Sequence, residues 1–227
     1  MKTLYITKDR YKESPWVTAT TLNGGIQIAK HPLYCNLLFG DNNQYQQINL
    51  PSPDEIVTHK YNQLKGAAEQ KDIQQYVYLH ERPFRFHALL DAKGWDLPNE
   101  VWYALAGSVW VDSEGPGINA SLWRDSVFTL PNSLLTMTAD ERIQYDSINI
   151  ITIYRGADVR KHARSGLSWT TNKEQAIWFA KRFSFARRWL ASTTIKQSEI
   201  AAFFDRRGEE EIIVASNPKN IKTEKII

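Results

Sequence analysis

After Asp146 the hydrophobic period of this chain changes, and that change constrains its fold more than any other feature. Upstream, from Ser52, apolar residues recur at helical spacing. Downstream, Ile148 to Tyr154 is rich in β-branched residues and reads as a strand. Further strands are expected around Trp189 to Ile195, Ile200 to Phe203, Glu210 to Ala215 and Ile221 to Ile226. One helix stands among them, capped by Asn172 with Gln175 at the matching third position. Ala176, Phe179, Ala180 and Phe183 give it a single apolar stripe. One helix among several short strands predicts an α+β packing and argues against a parallel βαβ sheet.

The upstream half carries clear helix signals. Ser52-Pro53-Asp54-Glu55 combines a capping hydroxyl, Pro in the first turn and Glu three residues after the cap, so a helix from Pro53 to Glu69 should follow. A second begins near Asp72 and must break at Pro83, which lacks a backbone donor. Gly94 reads as the stop after Phe86 to Ala92. Helices are expected from Pro98 to Val109 and from Ala120 to Val127. Thr138-Ala139-Asp140-Glu141 is another capping box, opening a helix to Asp146. Before Ser52 only short β-leaning pieces appear (Leu4 to Thr7, Trp16 to Leu22, Ile26 to Ala29), with a hairpin expected through Asn23-Gly24. The expected organisation is a mostly helical unit over residues 1–147 and an α+β core over 148–227.

Charge divides along the chain. Residues 1–150 hold 13 Lys/Arg against 17 Asp/Glu, and residues 151–227 hold 15 against 8, so a net −4 is followed by +7. The basic C-terminal part suits an anionic ligand: a dinucleotide, a nucleic acid or an acidic partner. A single cysteine, Cys35, excludes an intrachain disulfide framework. No run reaches the ~18–20 apolar residues of a membrane helix, and the N-terminus lacks the apolar core of a secretory signal, so cytoplasmic folding is expected. The His80-Glu81-Arg82-Pro83-Phe84-Arg85 segment does not complete a His-Glu-x-x-His zinc motif, and no metal site is expected.

Three short motifs carry the chemistry. The strand at 150–154 ends on Tyr154-Arg155-Gly156. Gly166-Leu167-Ser168-Trp169-Thr170-Thr171 follows. Then Arg207-Gly208-Glu209-Glu210-Glu211 opens an apolar strand, and alternation would put Glu209 and Glu211 on one face. Two carboxylates so placed repel, which raises the pKa of one and suits a general base.

In order and spacing these motifs resemble the arginine–serine–glutamate group of mono-ADP-ribosyltransferases, toxin-like enzymes that cleave NAD. The resemblance covers about the last third of the chain. It implies a fold of two packed β-sheets, with NAD as co-substrate. It also implies that Arg155 holds the phosphate and ribose side, using a planar fork that lysine cannot reproduce. Tyr154 would set that strand end beside Gly156. Ser168 would orient the catalytic carboxylate; Trp169 and Thr170 depart from the family's Ser-Thr-Ser element, and Trp169 is expected mainly to pack. Glu211 would be the catalytic residue and Glu209 the acceptor-side one. Phe203, Phe204, Arg206 and Arg207, in the preceding loop, would recognise the acceptor.

The nicotinamide–ribose bond breaks through an oxocarbenium-like state, so a carboxylate is needed near the ribose and a cation near the pyrophosphate. The Glu-x-Glu pair favours a protein arginine as acceptor. The basic C-terminal part keeps RNA or DNA bases open. An NAD glycohydrolase and an inactive interaction module are rival readings. A toxin role, with an antitoxin or inhibitor docked on the helical unit, follows by analogy only.

Overall fold

Ser52 begins the first helix through a closed capping box: its hydroxyl accepts from the Glu55 backbone N–H at 3.2 Å, and the Glu55 carboxylate accepts from the Ser52 N–H at 2.6 Å. The structure is a computed structural model that describes residues 11–12, 16–17, 27–38, 51–113, 116–182 and 188–226. The described chain divides into two compact units, one from residues 2–97 with 112–114, the other from 98–111 with 115–227.

In the first unit, strands β1 (Trp16–Val17), β2 (Gln27–His31) and β3 (Tyr34–Leu38) form an antiparallel sheet in that order. The two-residue turn Pro32-Leu33 joins β2 to β3, a hairpin that the sequence reading did not contain. The expected Asn23-Gly24 hairpin and the Leu4 to Thr7 piece lie outside the described residues. Helices α1 (Pro53–Glu69), α2 (Ile73–Leu79) and α3 (Arg85–Asp91) follow. The break at Pro83 falls where expected, because α2 stops at Leu79 and a short 3-10 turn at Arg82–Phe84 leads into α3. Val57, Leu64, Ile73, Val77, Phe84 and Leu89 are buried.

The second unit starts with α4 (Asn99–Asp112, of which Asp112 belongs to the first unit), α5 (Ala120–Trp123) and α6 (Ala139–Ser147), then strand β4 (Ile150–Ala157). After β4 come α7 (Arg160–Arg164), β5 (Ser168–Thr170), α8 (Lys173–Arg182), β6 (Trp189–Lys196), β7 (Ala202–Phe204), β8 (Glu211–Ile213) and β9 (Lys222–Lys225). The mixture of helices with an antiparallel sheet is α+β. The break expected at 147/148 falls inside this unit, because helical residues before it pack with the sheet: Phe128 lies 6.5 Å from Phe204, ring to ring.

The strands join in one six-stranded antiparallel sheet, ordered β7-β8-β5-β4-β6-β9, where two packed sheets had been expected. Its two halves meet through a single residue pair, Tyr154 with Thr170, whereas β4 and β6 pair over eight residues. Beside that pair the Arg155 guanidinium donates to the Ser168 carbonyl. One core lies across both halves, drawing Ile153 from β4, Trp169 from β5, Ala191 and Ile195 from β6, Phe203 from β7 and Ile212 from β8.

Helix α8 lies against β4, and Gly156 makes that approach feasible. A Cβ there would sit 1.8 Å from the Ala176 carbonyl oxygen. Ala176 and Ala180 are the buried residues of α8, Phe179 is half-buried, and Phe183 lies outside the described residues. Among the described residues no helix is long and apolar enough to cross a membrane.

Candidate active site

The candidate site is built on neighbouring positions of β4, β5 and β8. Directly paired residues of antiparallel strands share a face. The pairs Tyr154–Thr170 and Thr170–Glu211 therefore place Tyr154, Thr170 and Glu211 in one row across the sheet. Ser168, two residues from Thr170, projects to that face as well. Its hydroxyl donates to Glu211 Oε1 at 2.5 Å.

Arg155 leaves β4 on the other face by alternation, yet its guanidinium reaches the same residue around the strand end. It donates to the Ser168 carbonyl, and its Nε donates to the His162 carbonyl at 3.1 Å. Gly166 makes that path available: at φ +146° it adopts backbone that side chains rarely take, and a Cβ would lie 2.6 Å from the Arg155 guanidinium carbon. Burial lowers the pKa of Arg155, while the field of Glu211 raises it; the guanidinium remains charged. Ser168 thus holds the carboxylate through its side chain and the guanidinium through its backbone.

Glu211 is 6% exposed. Burial pushes its carboxyl above the usual range, and nearby Glu209 adds to the rise. The hydroxyl of Ser168, the indole of Trp110 and the charge of Arg207 draw it back in part. Trp110 is the residue that sequence reading missed. Its Nε1 donates to Glu211 Oε2 at 3.0 Å, from a helix 101 positions upstream. The indole is fixed by edge-on contacts with Trp123 at 5.1 Å and Phe128 at 4.9 Å. The only available signal was general: a buried indole N–H needs an acceptor.

Glu209 and Glu211 do face a common partner, but not through strand alternation. Strand β8 begins at Glu211, and Glu210 has φ 44°, a left-handed kink that ends the pleat. Arg207 joins the two carboxylates, with Nη2 2.6 Å from Glu209 Oε2 and 3.9 Å from Glu211 Oε2. Thr170 is a tie in this turn: its hydroxyl donates to the Glu209 carbonyl at 2.7 Å and accepts from the Asn172 N–H at 3.0 Å. The Thr171 hydroxyl donates to the Glu210 carboxylate.

The remaining residues have other duties. Gly156 is committed to the crossing with α8. Trp169 packs in the core as expected, its Nε1 donating to the Gly166 carbonyl at 3.1 Å. Phe203 and Phe204 are buried, because both alternate faces of β7 are covered, so neither meets an acceptor. Arg206 is held by Glu141 through Nε at 3.1 Å and Nη2 at 3.0 Å, and by the Thr136 carbonyl at 2.8 Å. Of the four loop residues, only Arg207 stands at the carboxylates.

Glu141 therefore has two duties that its capping box did not announce. It accepts the Thr138 N–H at 2.8 Å and also anchors the turn before β8. Burial would raise its pKa, but Arg206 and the Thr138 and Asp205 backbone N–H groups outweigh that and hold it below the usual carboxylate range. Among the described residues no group of three or more His, Cys, Asp or Glu side chains is arranged to hold a metal ion. No protein-family model, curated protein or solved structure matches this chain.

Proposed function

We propose that this chain is a mono-ADP-ribosyltransferase that transfers ADP-ribose from NAD to a macromolecular acceptor, with a protein arginine favoured. The observation that carries the reading is the double use of Ser168, which holds the Glu211 carboxylate and the Arg155 guanidinium at one strand end. NAD cleavage needs these two charges close to one sugar: an anion for the positive charge on the ribose and a cation for the pyrophosphate.

In this reading Arg155 binds the dinucleotide on its phosphate side, exchanging carbonyl partners for phosphate oxygens. Ser168 and Trp110 fix the Glu211 carboxylate, so its charge is in place before the bond lengthens. As the C1′–N bond breaks, its electron pair goes to the pyridinium nitrogen and neutral nicotinamide leaves. The acceptor nitrogen attacks C1′ and gives its proton to Glu209. The turn already supports a guanidinium on Glu209, which favours an arginine acceptor. The net +7 of residues 151–227 keeps a nucleic-acid acceptor as the second reading.

The test is incubation of wild-type protein and Glu211→Gln with adenylate-labelled NAD and a cell extract. Wild type should release nicotinamide and label macromolecules, with Glu211→Gln slower by about 10²–10³-fold. Protease-sensitive label indicates protein, and nuclease-sensitive label indicates RNA or DNA. Free ADP-ribose alone would indicate a glycohydrolase. No nicotinamide release from wild type would overturn the reading.

A further inference from the structure

The turn before β8 contains one arginine that the proposed reaction leaves unused. Arg207 presents Nη2 to Glu209 Oε2 at 2.6 Å and to Glu211 Oε2 at 3.9 Å, while Nη1 donates to the Val111 carbonyl at 2.8 Å. Its side chain is 43% exposed. The other arginines near the carboxylates have other work: Arg155 donates to the Ser168 and His162 carbonyls and is assigned above to the dinucleotide, and Arg206 is held by Glu141.

An acceptor arginine must meet two geometric conditions. One of its nitrogens must touch a carboxylate able to take a proton, and that nitrogen must also lie beside the carboxylate that stabilises the anomeric carbon. Arg207 Nη2 meets both without any change of backbone. The two neighbouring negative charges also hold the guanidinium in one rotamer, so little side-chain freedom remains to be lost before reaction.

We propose that Arg207 is this protein's own acceptor, ADP-ribosylated on Nη2 in its own site. The proposal rests on the ADP-ribosyltransferase reading above. In the step, the C1′–N bond to nicotinamide breaks with its electron pair leaving on nicotinamide. A lone pair of Arg207 Nη2 forms the new C1′–N bond, and the proton from Nη2 passes to Glu209. NAD is the only co-reactant needed. Because the catalytic carboxylates and the acceptor belong to one chain, each chain modifies itself with the NAD it binds. The product would carry a pyrophosphate on the residue that bridges Glu209 and Glu211, and so cover the place a foreign acceptor must occupy.

Purified full-length protein is incubated with NAD alone, and released nicotinamide, intact mass and peptide fragments are followed together. The expected result is one added ADP-ribosyl group, assigned by fragmentation to Arg207. In a mixture with Glu211→Gln, only the wild-type chain should gain mass. Arg207→Lys, which keeps a cation for Glu209, should lose the adduct. Nicotinamide release with no adduct, or with an adduct on another residue, overturns this inference and leaves the transferase reading standing. Transfer onto the Glu211→Gln chain, or an undiminished adduct on Arg207→Lys, also overturns it. No nicotinamide release overturns both.

Discussion

At the scale of single residues, Glu211 and Glu141 are buried carboxylates whose pKa values the fold moves in opposite directions. The folded-state pKa of Glu211 is raised, so this group favours the fold at low pH, and that contribution is lost as pH rises through the raised value. Glu141 is depressed, so its contribution is present above the unfolded pKa and lost as pH falls through the folded one. Glu211→Gln should therefore have a higher melting temperature than wild type at neutral pH, with the gap closing under acid; calorimetry across pH checks this. On the proposed transferase reading, wild-type activity should fall as pH drops through the raised Glu211 value, since only the carboxylate would stabilise a ribose cation. Trp110→Phe removes one donor to that carboxylate and should move the acid limb to higher pH, which a pH–rate profile reads directly. A Ser168→Ala change should cost about 10²-fold in nicotinamide release, because the carboxylate loses its orientation.

Between elements, the contacts that set the site are a crossing and a turn. Gly156→Ala would force a methyl into the α8 backbone, where the nearest atom is a carbonyl oxygen 1.8 Å away. A destabilisation of about 1–3 kcal/mol or more is expected from overpacking, seen as a lower denaturant midpoint. Arg206→Ala strands the buried Glu141 charge. A loss of about 3–5 kcal/mol follows, and with it the shape of the turn that presents Arg207 and Glu209. The capping boxes at Ser52 and Thr138 and the break at Pro83 were legible because each depends on atoms within a few residues. The β2–β3 hairpin was not, since His31-Pro32-Leu33-Tyr34 carries neither Asn-Gly nor Gly. Nor was the kink at Glu210: a run of three glutamates gives no sign that the middle one adopts a positive φ.

For the chain as a whole, the sheet that carries the motifs is not self-sufficient. Residues 148–227 lack Phe128, which packs on Phe204, Trp110, which bonds Glu211, and Glu141, which holds Arg206. A fragment of residues 148–227 should show no cooperative thermal unfolding by circular dichroism, whereas residues 98–227 should. The sequence by itself determined the elements: the helix starts, the strand runs, the α+β mixture and the positions of Arg155, Ser168 and the two glutamates. These follow from local periodicity and capping, which operate within a turn or a pleat. Only the tertiary structure decided which of those residues meet. It joined Trp110 to Glu211 across 101 positions and Arg206 to Glu141 across 65, and it reduced the contact between the two sheet halves to one residue pair. Such partners are chosen by burial: a polar group removed from water must bond whatever the fold brings beside it, however far away in the chain.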